Sequence, residues 1–139
     1  MKSMVDGLLG RWFTPGFRRD HPDQVDRFRR MLEECPPAGY LGCSAAVRDA
    51  DLRSRLDRVR APTLVIVGTA DPATPPALGE ILRDGIAGAR LEALDTAHLS
   101  NVERPEAFAR ITADFLDAAG GTETTGPGRS SRGGEDSHG

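Results

Sequence analysis

Two short apolar runs, each followed within a few residues by a lone reactive side chain, constrain this sequence most. Thr63-Leu64-Val65-Ile66-Val67 leads into Gly68-Thr69-Ala70-Asp71-Pro72-Ala73-Thr74-Pro75-Pro76, and the run from Ala89 to Leu94 leads into Asp95-Thr96-Ala97-His98. The first run is β-branched and apolar on both faces, as a parallel strand buried between helix layers should be. The second is weaker, since Arg90 and Glu92 alternate with Leu91. A helical pattern follows each: Pro75-Pro76 opens one in which Leu78, Ile81 and Leu82 share a face, and Pro105 opens one with Phe108, Ile111 and Phe115 as its buried stripe. Strand, helix, strand and helix after a helical block predict an α/β fold, the last strands of a doubly wound parallel sheet.

Residues 1 to about 58 have a different texture, short helices without a convincing strand. Val25, Phe28, Met31 and Leu32 recur at helical spacing, and Pro36-Pro37 ends that helix or opens the next. Ala45 to Leu56 interleaves apolar residues with Arg and Asp. The expected organisation is a helical segment over 1–58, a strand–helix segment over 59–119 and a disordered tail or linker over 120–139. That tail carries no apolar side chain except Pro127 and cannot bury enough area to order itself. Met1 opens directly into amphipathic sequence rather than a first strand, as an internal or mis-called start would. Net charge is −3 with both signs interspersed, which implies no nucleic-acid and no membrane partner. Leu64 to Val67 is too short to span a bilayer. Cys35 and Cys43 lack C-x-x-C spacing and read as packing residues of a reduced, cytoplasmic protein.

The chemistry follows from where the loops fall. In parallel sheets functional groups gather beyond the carboxyl ends of the strands. Asp71 stands four residues after Val67 and His98 four after Leu94, so neighbouring strands would bring the two side chains together. An ionised Asp that accepts from one imidazole nitrogen fixes the tautomer and leaves the other nitrogen free to take a proton from a serine. Alone, an Asp before Pro is a turn residue or helix cap and a loop His is a surface residue; it is their order and spacing that point to an acid and a base. His21, before Pro22 in a charged turn, and His138, in the tail, have no such partner. The nucleophile is missing. No Gly-x-Ser-x-Gly occurs, and Gly42-Cys43-Ser44-Ala45-Ala46 is only a superficial likeness to it. A nucleophile elbow needs a buried strand leading into it, which Glu33-Glu34-Cys35-Pro36-Pro37-Ala38 is not. Neither Ser44 nor Cys43 is expected to act.

The Asp and His blocks, with chain order acid before base, resemble those of α/β-hydrolases. Within that superfamily, residues 1 to about 118 resemble the C-terminal half of the 3-oxoadipate enol-lactonases of the β-ketoadipate pathway. Arg11-Trp12-Phe13-Thr14, the run from Gly39-Tyr40-Leu41-Gly42 to Asp51-Leu52, Asp71-Pro72-Ala73-Thr74-Pro75-Pro76 and Ala97-His98-Leu99-Ser100-Asn101-Val102-Glu103 carry the resemblance. It implies that 1–58 is the later part of a helical cap, that Asp71 and His98 are catalytic acid and base, and that Trp12 lines the substrate pocket or anchors the cap. It implies hydrolysis of a lactone or ester through an acyl-enzyme, with no metal or organic cofactor. A cap cation such as Arg11 or Arg48 would meet the substrate carboxylate. The serine and oxyanion donors would lie in a complementary N-terminal half, and the tail would join or be a remnant of a fused decarboxylase domain. By itself such a chain is expected to be inactive and to expose a broken sheet edge. The alternatives are another cap-bearing α/β-hydrolase, such as an esterase, C–C hydrolase or haloperoxidase-like enzyme, and an inactive truncated remnant.

Overall fold

The computed structural model describes residues 2–120, so the expected tail lies outside the described residues but for Gly120. Helices α1 (Lys2–Trp12), α2 (Pro15–Asp20), α3 (Pro22–Glu34) and α4 (Pro37–Asp49) come first, followed by a 3₁₀ turn at Arg53–Arg58. Strand β1 (Leu64–Gly68), α5 (Pro76–Gly85), β2 (Arg90–Leu94), α6 (Ser100–Glu103) and α7 (Pro105–Gly120) complete the order. Pro15, Pro22, Pro37, Pro76 and Pro105 each open their helix, where a fixed φ is already helical and the missing N–H has no intrahelical acceptor to lose.

The tightest packing is helical. Val5, Leu9 and Phe13 follow one stripe along α1 and into the turn after it, and Phe13 is fully buried. Its ring stacks on Phe17 at 5.3 Å and meets Phe28 edge-on at 5.2 Å. Val25 and Leu32 of α3 close the cluster, while Met31, read as part of their stripe, faces solvent. Leu99 and Val102 pack on the same cluster, so the helical core reaches the segment that carries His98.

The two strands pair in parallel, Leu64 opposite Arg90 and Gly68 opposite Leu94, which brings both carboxyl ends to one edge. Helix α5 crosses one face through Gly79, where an added Cβ would strike Val67 Cγ1 and crowd Leu91 and Val65. Leu78, Ile81 and Leu82 share a face as expected, yet that face is not the one against the sheet, and each is at least 40% exposed. Two further expectations need correcting. The α7 stripe of Phe108, Ile111 and Phe115 is half-buried, because its helix meets only the margin of a two-stranded sheet. Cys43 is exposed rather than packed, since α4 buries none of its residues, whereas Cys35 is half-buried; both are free thiols.

Candidate active site

The loops after β1 and β2 are laced together by backbone. Thr69 N–H donates to Leu94 O at 2.8 Å, and Ala70 N–H donates to Thr96 O at 3.0 Å. Gly68 makes this approach possible, because a Cβ there would fall on the carbonyl oxygens of Ala97 and Thr96. Thr96 is fully buried behind the junction, its Oγ1 without a hydrogen-bond partner among the described residues.

Asp71 and His98 meet beyond this junction. His98 Nδ1 lies 2.8 Å from Asp71 Oδ2. The Asp71 side chain is 4% exposed and that of His98 34%, so the acid is enclosed and the imidazole reaches solvent. Asp71 Oδ1 accepts the N–H groups of Ala73 (2.7 Å) and Thr74 (3.0 Å), and Oδ2 also accepts Thr74 Oγ1 at 2.6 Å. Burial pushes the Asp71 carboxyl up, but the hydrogen bonds from Thr74, His98 and Ala73 more than offset it. The group therefore titrates below the ordinary carboxylate value. An ionised carboxylate only accepts, so Nδ1 carries the imidazole proton toward it and Nε2 is left to exchange a proton with a reacting group.

The imidazole opens on an apolar cleft of about 780 Å³. Leu52, Leu56, Ile66, Leu78 and Leu82 line it together with Arg48, whose guanidinium is bound bidentate to Asp49 at 2.7 and 2.9 Å. Ser44 lies on α4 in a shallow groove with Tyr40 and Cys43, and Arg11 is exposed at the end of α1. Trp12 is half-buried against the α1 cluster, and its carbonyl accepts Leu99 N–H at 3.1 Å. His21 sits on the Phe17 ring at 4.6 Å, and His138 lies outside the described residues. No group of three or more His, Cys, Asp or Glu side chains placed to hold a metal ion occurs among the described residues.

Two parts of this arrangement go beyond the sequence reading. Thr74 bonds the acid from within its own turn; its position three residues after an Asp is the spacing of an Asx or capping turn, a signal available in the sequence. Glu103 is the other. Its Oε1 accepts Ala97 N–H at 3.0 Å and Thr14 N–H at 3.1 Å, and its Oε2 accepts Thr14 Oγ1 at 2.6 Å. Nothing local in the sequence announces a contact 89 residues apart.

Several known proteins are similar to this chain. It is 44% identical over 98 residues to 3-oxoadipate enol-lactonase 2 of Acinetobacter baylyi, covering 70% of this chain and 37% of that protein. To 3-oxoadipate enol-lactonase 1 of the same organism it is 35% identical over 116 residues, 84% of this chain and 44% of that one. The crystal structure of the enol-lactonase from Burkholderia xenovorans LB400 superposes with a TM-score of 0.82 at 38% identity, over 84% of this chain and 45% of the other. The chain thus spans less than half the length of these relatives. No protein-family model matches it. A parallel β–α–β unit that joins an Asp to a His, together with this likeness in sequence and structure, gives the chain the architecture of an α/β-hydrolase and makes it similar to the 3-oxoadipate enol-lactonases.

Proposed function

We propose that this chain supplies the acid and base of a serine hydrolase that opens the enol-lactone of 3-oxoadipate in the cytoplasm. The observation that carries the reading is the Asp71–His98 hydrogen bond beside an apolar cleft, in a chain similar to enol-lactonases. Asp71 holds the imidazole in the Nδ1–H tautomer and stabilises the imidazolium that forms when Nε2 takes the proton of an attacking serine. The same Nε2 then protonates the leaving enolate oxygen and activates the water that releases the acyl group. The serine and the oxyanion donors come from a complementary N-terminal half, in line with the share of the relatives' length that this chain spans. Residues 1–58 act as cap over a core segment of 59–119. Trp12 serves this cap as an anchor, consistent with its place on the α1 cluster. Arg48 is the cap cation for the substrate carboxylate, since it lines the cleft that His98 faces, which Arg11 does not.

The test is lactone hydrolysis by the chain alone and by the chain mixed with the separately expressed N-terminal half of a related enol-lactonase. Hydrolysis only in the mixture, abolished by His98→Ala and reduced about 10³- to 10⁴-fold in kcat by Asp71→Asn, is expected. Activity of the chain alone that disappears in Ser44→Ala would overturn the placement of the nucleophile elsewhere. A mixture shown to associate, yet silent toward the lactone and active on simple esters, would replace the lactonase by another cap-bearing hydrolase.

A further inference from the structure

We infer that Glu103 is a positioning residue. It holds the backbone around His98 against the turn between α1 and α2, and so fixes where the imidazole stands. The inference rests on the proposed role of His98 as base and adds to it the group that sets the base's place.

His98 is clamped through both of its neighbours. On one side Ala97 N–H donates to Glu103 Oε1, and on the other Leu99 N–H donates to the Trp12 carbonyl. Both restraints end on the same turn, because Glu103 also accepts Thr14 N–H and Thr14 Oγ1. The turn is itself braced, since Thr14 Oγ1 accepts Phe17 N–H at 3.2 Å as the N-cap of α2. Behind it stands the buried aromatic cluster of Phe13 and Phe17. From the other direction, Gly68 presses on the carbonyls of Thr96 and Ala97. A loop held at front and back has one position, and the 2.8 Å Nδ1–Oδ2 contact depends on that position. Glu103 is suited to this because one carboxylate accepts three donors, the Ala97 and Thr14 N–H groups and the Thr14 hydroxyl, and charge-assisted bonds are about twice as strong as neutral ones. Glu103 is thereby the one side chain whose hydrogen bonds tie Ala97 to the turn after α1, beside the Leu99–Trp12 backbone bond.

The experiment reads His98 directly in this chain and so does not depend on which substrate the enzyme takes. Amide exchange of Ala97 and the ¹⁵N signature of the His98 tautomer are recorded for the parent, Glu103→Ala, Glu103→Gln and Thr14→Val. Glu103→Ala is expected to speed exchange at Ala97 about tenfold and to replace the single Nδ1–H tautomer by a mixture, with β1 and β2 amide shifts unchanged. Glu103→Gln is expected to restore both signals, since its amide oxygen can take the place of Oε1 while its NH₂ donates to the Thr14 hydroxyl. A His98 tautomer unchanged in a folded Glu103→Ala overturns the inference. Should Glu103→Ala not fold, Thr14→Val decides: it removes the Oε2 bond and the α2 cap bond from Phe17 N–H while leaving the Glu103 carboxylate in place, and a His98 signature identical to the parent's would equally overturn the inference. In the complemented enzyme the same loss is expected to lower kcat with KM little changed. If complementation gives no lactonase activity at all while the tautomer mixture appears as expected, it is the functional reading that fails and the positioning role that stands.

Discussion

Asp71 accepts four hydrogen bonds, and their division between its two oxygens decides what His98 meets. Oδ1 is taken up by backbone, whereas Oδ2 is shared by the imidazole and the Thr74 hydroxyl. Thr74→Val removes one charge-assisted bond and leaves the shape, so the Asp71 carboxyl should titrate closer to its ordinary value. A carboxylate with a depressed folded pKa contributes stability that is fully present above the unfolded value, about 3.9, and is lost as pH falls through the folded one. The variant should therefore be less stable by about 1–2 kcal/mol at pH 7, with the gap narrowing below pH 4. Urea unfolding at pH 7 and pH 3 measures this, and an equal gap at both would assign the effect to packing. Asp71 and His98 are legible in the sequence because each follows a strand run at the distance a loop requires. Thr74 is harder to read, since a hydroxyl in a polar turn resembles any other turn residue until the turn's hydrogen bonds are known.

At the scale of elements, the site depends on two contacts of opposite kind. One is close backbone packing: Gly68→Ala places a methyl group on the Ala97 and Thr96 carbonyls, which cannot yield without parting the strands' carboxyl ends. A loss of about 3 kcal/mol is expected, together with disappearance of the Nδ1–H tautomer signal of His98. The other is aromatic burial: Phe13→Ala leaves a void between Phe17 and Phe28 and should cost about 3–5 kcal/mol. The urea midpoints of the two variants check both figures. Gly68→Ala should disturb the loop that carries His98 even where the chain remains folded, while Phe13→Ala should act mainly through α1–α3. The starts of α4, α5 and α7 are legible here because proline marks them, and the parallel pairing because the strand runs flank a single helix. Which face of α5 meets the sheet is not, because apolar periodicity identifies a stripe and says nothing about what it packs against. Gly79, with no side chain, allows the closer approach and takes the place that Leu78, Ile81 and Leu82 would fill by pattern alone.

For the molecule as a whole, the exposed stripe on α5 is an argument about what it is built to meet. Leu78 and Ile81 are 48% and 43% exposed, and both line the cleft beside His98 together with Leu52, Leu56 and Ile66. An apolar wall against a strand edge, in a chain that spans less than half of its relatives' length, fits burial against the complementary half proposed above. Ile81→Lys separates the two situations. In the chain alone the lysine extends into water, and stability should change by less than about 1 kcal/mol. In the complex the ammonium would be buried without a partner at a cost of several kcal/mol, which corresponds to association weakened at least about 100-fold. Titrating the N-terminal half against parent and variant, with lactone hydrolysis as the readout, should show the variant reaching the parent's kcat only at far higher concentration. Equal titration curves would mean that this face stays in water when the hydrolase is assembled. The wall of the cleft would then belong to the substrate rather than to the proposed complementary half.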